Sequence, residues 1–339
     1  MPNVWAHFIF GQLVLEKLGE AALLGTNEQK NMFNMGCQGP DFLFYHRFFP
    51  WQQSLALNRM GTEMHNRHCG PVIIEMLDSV IGGRSLPTRP DLSILYALGF
   101  VLHHVLDRNM HPYVFSKSGF RKWDHQRFEI MMDTLIARKL WGVETWKTAV
   151  WRYIDTKGAF PEPIVDAFVS ITANYYPELS PLIRREDWNQ ANRDFTAAQR
   201  LFHDPTGIRR RLTLGQIEPF VYKREPFQYD ILNLSEQPWI DPVDRNVLHR
   251  DSAWSLWEQA MNDAVQVMQA VLVWLRAHEG PQPTKEDRTQ VRAFRDEAIA
   301  LIGNRSYETG LACDSGAAIR YADTIWPDQP GLTEAPSLS

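Results

Sequence analysis

Apolar residues recur at helical spacing in nearly every stretch of the chain where a pattern can be read, and alternating apolar and polar positions are scarce. This periodicity predicts an all-α fold. Pro112 is expected to end the helix before it, because proline disrupts helix interiors. The segment 205–243, rich in proline, arginine and aromatic residues, is typical of an irregular connection. The predicted helices cover residues 4–19, 54–69, 91–111, 121–140, 143–156, 162–174, 187–203, 251–278 and 285–302.

Composition limits the classes of function that the chain could have. With 339 residues, 44% of them hydrophobic, the chain can bury a sizeable core. A formal net charge of -5 argues against a general polyanion binder. The three cysteines, Cys37, Cys69 and Cys313, form no CxxC pair, so neither a disulfide framework nor a thiolate zinc site is expected. Neither a signal peptide nor a transmembrane segment is evident, and we expect a cytoplasmic protein.

Histidine is crowded near the start of the chain, where residues 1–125 hold eight of the 11. The predicted helix 91–111 is apolar on nearly every side, as in a helix buried inside a bundle. His103, Asp107 and His111 follow one another at spacings of four, which places all three on one face. Buried imidazoles and a buried carboxylate need polar partners, and one metal ion can serve as the partner of all three groups. A satisfied buried polar network is the alternative.

A second pair, His125 and Glu129, is again four residues apart and able to chelate together. The glycine-containing loop Ser116–Gly119 would let its helix fold back against the first one. Three histidines and two carboxylates exceed the needs of one tetrahedral ion, and Asp107, between two histidines, is placed to bridge two ions. The ligand set suits zinc, with manganese and iron as alternatives.

The stretch LHHVLDRNMHP, followed by HQRFE, resembles the zinc-dependent phospholipase C family, whose all-helical bundle is shared with fungal zinc single-strand nucleases. That family binds up to three zinc ions. The resemblance implies that His103 and Asp107 hold a central ion, with Asp107 as the bridge. It assigns His111, His125 and Glu129 to a neighbouring ion.

The same resemblance extends upstream through short motifs. It implies that Asp41 in GPDFLFYH orients or deprotonates the attacking water, and that His65 in TEMHNRH binds the central ion, with His68 as a competitor. His7 in VWAHFIFG resembles the early histidine of a third metal site. Secreted members complete that site with the free amine of an N-terminal tryptophan, whereas Trp5 here is internal. Two zinc ions are therefore expected, and the third site stays open.

Simpler structural roles remain open for several of these residues. Gly39-Pro40-Asp41 could be a turn with a capping carboxylate, and His7 could be a hydrogen-bonded core histidine. His104 lies about 100° around the helix from His103 and is expected either to be structural or to support a metal ligand. An aromatic run after Asp41 could line a substrate pocket or simply pack in the core. The run comprises Phe42, Phe44, Tyr45, Phe48, Phe49 and Trp51.

The resemblance implies a metal-dependent hydrolase of phosphate esters, most simply a phospholipase C-like phosphodiesterase that uses a metal-activated water. Its substrate would be a small phosphodiester or a phospholipid headgroup, and nucleic acid is the less expected partner. Two alternatives stay open: a zinc-dependent nuclease or nucleotidase, and a non-catalytic helical protein with structural zinc. Residues 1–160 are expected to form the metal-binding core, 161–305 to complete the same domain, and 306–339 to be a loosely structured tail. The oligomeric state stays open.

Overall fold

The computed structural model describes residues 3–49, 52, 55–81, 91–278, 285–326 and 332–335. Within these residues the chain is mostly helical, which confirms the predicted all-α class. Two short antiparallel pairs are formed by β1 (Trp239–Ile240) with β2 (Leu248–His249), and by β3 (Tyr321–Asp323) with β4 (Leu332–Glu334). The α-helices are α1 (Val4–Lys17), α2 (Asn27–Gly36), α3 (Ala56–Asn66), α4 (Cys69–Ile81), α5 (Leu92–Ser118), α6 (Asp124–Trp141), α7 (Glu162–Tyr175), α8 (Arg185–Phe202), α9 (Ile208–Leu212), α10 (Ala253–Arg276) and α11 (Lys285–Ile302).

Helix α5 is the central element, and it contacts α1, α2, α4, α6, α7 and α10. Its packing against α2 is backbone to backbone, since a Cβ atom added at Gly99 would lie 2.4 Å from the carbonyl oxygen of Phe33. Nearly every side chain of α5 is buried, so its polar residues must find partners inside the protein. None of the helices in the described residues is both long enough and apolar enough to cross a membrane.

The prediction that a helix ends at Pro112 is wrong, because α5 continues to Ser118. Proline lacks an N–H, so the carbonyl of Arg108 receives no helical hydrogen bond from position 112. This carbonyl instead faces Gly310, where an added Cβ atom would lie 2.3 Å from the Arg108 oxygen. Tertiary packing thus overrides the local signal, and His111 lies within the helix rather than at its end.

Three further differences from the predicted helices concern single short segments. α2 was not predicted; it is only 10 residues long and begins at a capping box formed by Thr26 and Gln29. α4 also was not predicted, because Pro71 suggests a helix stop but lies in the first turn, where proline is tolerated. Residues 143–156 were predicted as a helix, whereas only a 3₁₀ turn at Val150–Tyr153 forms there.

After α11 the chain returns to the centre of the bundle. The N–H of Tyr307 donates to the carbonyl of His65 at 2.7 Å, which joins this segment to α3. Further on, the indole N–H of Trp326 donates to the carbonyl of Ser118 at 2.7 Å, at the end of α5. The segment 303–326 therefore packs along α5 over much of its length.

Candidate metal centre

Helix α5 carries His103, Asp107 and His111 into the interior, and each is at most 2% exposed. The Nδ1 atom of His103 lies 3.1 Å from the carbonyl oxygen of Cys37, and Nδ1 of His111 lies 2.7 Å from that of Tyr307. A carbonyl only accepts, so both Nδ1 atoms carry the proton. Within the described part of the chain, neither Nε2 atom makes a hydrogen bond. Imidazoles held in this way present Nε2 as a metal ligand.

The first ligand group consists of His7, His103 and Asp107, whose ligand atoms all lie within 4.8 Å of one another. Nε2 of His7 is 3.4 Å from one oxygen of Asp107, and Nε2 of His103 is 3.0 Å from the other. The two imidazole rings stack with their centroids 4.4 Å apart. Burial raises the pKa of Asp107, while the neighbouring His103 acts to lower it. Asp107 is thus flanked by two imidazoles in a dry interior.

The second group consists of Asp41, His65 and His103, so it shares His103 with the first group. Nε2 of His65 lies 3.1 Å from Oδ1 of Asp41, and Nδ1 of His65 donates to the carbonyl of Gly61 at 2.7 Å. Burial acts to lower the pKa of His65, but the hydrogen bond with Asp41 raises it overall. The competing His68 lies outside the group, with its ring centroid 5.3 Å from that of Tyr175.

The third group consists of His111, His125 and Glu129, contributed by α5 and α6. Nε2 of His125 lies 2.6 Å from Oε1 of Glu129. Burial lowers the pKa of His111 well below its ordinary value, which keeps the imidazole neutral as metal binding requires. Nδ1 of His111 is 3.8 Å from Oδ2 of Asp107, so the third group adjoins the first through Asp107.

The turn that carries Asp41 passes directly over the ring of His103. Gly39 in this turn has a φ of 49°, and an added Cβ atom would lie 2.1 Å from Cδ2 of His103. Only glycine combines this backbone conformation with so close an approach. Gly39 and Pro40 therefore lie in a turn, as one interpretation of the sequence expected, but Asp41 begins a 3₁₀ helix that has no side-chain cap, and its carboxylate reaches the cluster.

The position of His7 depends on a buried carboxylate at the start of α1. Asp133 of α6 accepts hydrogen bonds from the N–H groups of Trp5 at 3.0 Å and Ala6 at 2.6 Å. The hydroxyl of Tyr222 donates to the same carboxylate at 2.6 Å. Burial raises the pKa of Asp133 to about 7, against the opposing effect of these hydrogen bonds. Asp133 thereby fixes the first turn of α1 and, with it, the helix that carries His7.

Tyr222→Phe should lower the free energy of unfolding by about 1–3 kcal/mol, because Asp133 loses a buried hydrogen-bond donor. The raised pKa means that between about pH 4 and pH 7 the folded state holds a proton that the unfolded state has lost, so the contribution of Asp133 to stability falls as pH rises. The Tyr222 hydroxyl favours the ionised carboxylate, and its loss should therefore cost more at about pH 8 than at about pH 5. Urea unfolding at the two pH values measures both effects. Tyr229→Phe is the control, and an equal loss in both variants would contradict the assignment.

Tyr307 is a residue of the centre that the sequence does not predict. Its carbonyl accepts from His111, and its N–H donates to the carbonyl of His65. Its ring centroid lies 5.2 Å from that of His65 and 5.4 Å from that of His103. These contacts are largely made through the backbone, which any residue type could supply. Hence no motif marks Tyr307 in the sequence.

His104 lies outside the three groups, in the structural position expected for it. Its Nε2 atom lies 3.0 Å from the carbonyl oxygen of Ile302, and Arg108 reaches the same carbonyl. Arg108 also forms an ion pair with Asp263 at 2.8 Å. These contacts tie α5 to α10 and α11, away from the ligand groups.

A cavity of about 1020 Å³ opens beside the ligand groups. Asp41, His65, His111, His125 and Glu129 from the second and third groups line it, together with other polar residues such as Lys122 and Glu308. Much of the remaining wall is aromatic or aliphatic: Phe44, Tyr45, Phe48, Phe49, Phe115, Trp123, Phe195, Leu201, Phe202, Ile217 and Phe220. Most of the predicted aromatic run thus lines the cavity, whereas Phe42 is in the core and Trp51 is outside the described residues.

The chemistry of the three ligand groups suits the metal ions that the residue spacing predicts. Within the described residues, Nε2 of His103, Nε2 of His111 and both carboxylate oxygens of Asp107 are buried and make no hydrogen bond. Such atoms are costly to leave without partners. Nitrogen and oxygen donors in groups of three are the usual protein ligands of a catalytic zinc ion. All seven predicted ligands, together with Asp41, fall in the three groups.

Comparison with known families gives one match. A family model described as zinc dependent phospholipase C matches residues 6–177, which is just over half of the chain and includes all eight residues of the three groups. Neither the comparison with curated proteins nor the comparison with solved structures gives a match. The family match confirms the resemblance carried by the histidine and carboxylate spacing. The chain therefore belongs to the zinc-dependent phospholipase C family.

Proposed function

We propose that this protein is a zinc-dependent phosphodiesterase of the phospholipase C type, acting on a phosphodiester that carries a large apolar group. The observation that supports this most directly is the position of the third ligand group, and of Asp41 and His65 from the second, in the wall of an otherwise largely apolar cavity. A purely structural metal site would be closed by protein ligands and would need no such opening. The cytoplasm remains the compartment that the proposal assumes.

Bound zinc ions would supply Lewis acidity, polarising the phosphoryl group and making a water molecule more acidic. The protein's own contribution is to hold the ligands rigidly. His103 and His111 are each fixed by a hydrogen bond from Nδ1 to a backbone carbonyl. Asp107, adjoining both the first and third groups, would hold two ions at once. Such preorganisation means that little of the site has to rearrange during the reaction.

We assign to Asp41 the role of orienting the attacking water and accepting its proton. Its carboxylate lines the cavity and lies 3.1 Å from Nε2 of His65. A general base must reach both the water and the solvent-accessible cavity, and Asp41 meets both conditions. Its membership of the second ligand group also allows direct metal binding, so a variant is needed to separate the two roles.

The cavity wall favours an apolar substrate group beside the phosphate. Aromatic rings accommodate acyl chains by burial, and their faces attract a quaternary ammonium headgroup. The same rings could stack on a nucleobase, which keeps nuclease activity as the competing outcome. The net charge of -5 makes a polyanionic substrate the less favoured one.

The test combines elemental analysis with a substrate panel. Protein supplied with zinc should retain the metal through dialysis and release a phosphorylated headgroup from phosphatidylcholine, with slower hydrolysis of a soluble chromogenic phosphodiester. His249→Gln, a histidine far along the chain from the ligand groups, serves as the matched control. A protein that binds no transition metal would overturn the proposal, and so would one that holds zinc without any turnover. Cleavage of single-stranded DNA instead of lipid would assign the protein to the nuclease alternative.

A further inference from the structure

Three apolar side chains in the segment 207–217, here called the rim segment, are strongly exposed. Ile208 is 56% exposed, Leu212 78% and Leu214 89%. Trp123, at the start of α6, is 43% exposed. Single exposed leucines are common, but these residues belong to two elements that both border the cavity. Several exposed apolar side chains are therefore grouped in elements that border one cavity.

The rim segment has a defined structure that holds these side chains outward. Asp204 accepts hydrogen bonds from the N–H groups of Arg209 and Arg210 at 3.1 and 3.0 Å, which fixes the start of α9. The N–H of Gly215 then donates to the carbonyl of Arg210 at 2.8 Å, closing a turn. In this turn Leu214 adopts a φ of 50°, a conformation that leucine rarely takes. Packing does not explain the choice of leucine there, since its side chain is almost fully exposed.

The exposed residues adjoin the opening of the cavity. Thr213 and Gln216 of the rim segment line the cavity, and so do Lys122 and Trp123 from the turn before α6. The ring of Trp123 packs edge-on against Phe220, another lining residue, with a centroid distance of 5.0 Å. Leu212 and Leu214 flank Thr213 in the chain. Leu212, Leu214 and Trp123 therefore lie at the rim of the cavity that residues of the second and third ligand groups line.

The charge around this rim is positive although the whole chain is acidic. Arg211 and Lys122 are exposed, and neither forms an ion pair within the described part of the chain. Arg209 donates to backbone carbonyls of residues 200, 201 and 203, and among the described residues no carboxylate forms an ion pair with it. The nearby Glu218 is already paired with Arg127 at 3.0 Å and with Lys223.

We propose that the rim segment and Trp123 dock the protein on a lipid surface that carries anionic headgroups. Exposed leucines and a tryptophan would enter the boundary between headgroups and acyl chains, while the arginines and Lys122 would contact anionic groups. A second copy of the chain fits less well, because the same positive charges would face one another. Docking would bring the cavity mouth to the lipid. The use of that contact for hydrolysis rests on the proposed function, whereas the docking itself does not.

Vesicle flotation of the full chain tests the docking directly. The wild type should float with vesicles of phosphatidylcholine mixed with phosphatidylglycerol, and less with phosphatidylcholine alone. The double variant Leu212→Ser/Leu214→Ser should reduce partitioning by about tenfold or more, because two apolar side chains no longer insert. Leu182→Ser/Leu234→Ser removes two leucines that are 62% and 64% exposed and do not line the cavity, as the matched control. Arg211→Gln should weaken binding at low salt, and the difference should shrink at high salt.

Several results would overturn the docking proposal. These are a wild type that binds neither kind of vesicle, a rim variant that binds as well as the wild type, and a control variant that loses as much binding as the rim variant. Sedimentation that finds a dimer in the wild type and a monomer in the rim variant would assign the surface to a second copy. Turnover of the soluble phosphodiester separates the two proposals. Vesicle binding without any turnover would refute the proposed function and leave the docking intact.

Discussion

Asp107→Asn is expected to lose its bound zinc during dialysis. Its phosphodiesterase activity should fall by more than about 100-fold, because the loss of a direct ligand should exceed the usual effect of altering a residue that only supports a ligand. Asp107 is flanked by His7 and His103 in the first group and adjoins His111 in the third. An amide keeps the size of the side chain but not the negative charge that offsets the ions. Elemental analysis and activity on a soluble phosphodiester measure the two losses.

The control for this variant is Asp323→Asn, which removes a carboxylate that pairs with Lys117 instead of joining the ligand groups. Circular dichroism of both variants checks that the helices persist. Normal zinc content and normal turnover in Asp107→Asn would contradict the role of this carboxylate as a shared ligand. Loss of helical signal would show a folding defect, in which case Asp107→Glu, which keeps the charge, separates the two effects.

Asp41→Asn is expected to keep its zinc and lose about 10²- to 10⁴-fold of its turnover, the usual contribution of a positioned general base. The expectation follows from the place of Asp41 in the cavity wall, beside His65, while the remaining ligands stay intact. Turnover of the soluble phosphodiester and zinc content by elemental analysis are the two measurements.

This variant also decides between the two roles that the geometry allows for Asp41. If zinc is lost together with turnover, Asp41 acts as a ligand of the second group rather than as the proton acceptor. The control is Asp187→Asn, since Asp187 is a largely buried carboxylate near His46, outside the three ligand groups. Unchanged turnover in Asp41→Asn would exclude both roles.

The parts of the centre that could be predicted are the ligands that lie within a single helix. Spacings of four in α5 and α6 place side chains on one face whatever the rest of the fold does. His103, Asp107 and the pair His125 and Glu129 were therefore readable from the sequence. His7 and Asp41 needed the family resemblance, because their elements reach the centre only through tertiary packing against α6 and over His103.

The parts that could not be predicted depend on contacts between distant segments. α5 continues past Pro112, and Gly310 packs closely against the carbonyl that the proline leaves without a donor. Tyr307 contributes through its backbone, and the cavity wall is completed by residues beyond position 194, such as Phe195 and Phe220. None of these contacts has a local pattern. The spacing of the candidate ligands within each helix could thus be predicted from the sequence, whereas the shape of the cavity around them could not.

The contact of Tyr307 with His65 and His111 has a consequence for biosynthesis. Ribosomes make the ligand helices first, and the residue that fixes two of their histidines is made after α11. A nascent chain that has not yet reached Tyr307 therefore holds the ligands without the segment that orients them. The histidine and carboxylate groups therefore have their complete set of backbone contacts only after the chain has been synthesised as far as Tyr307.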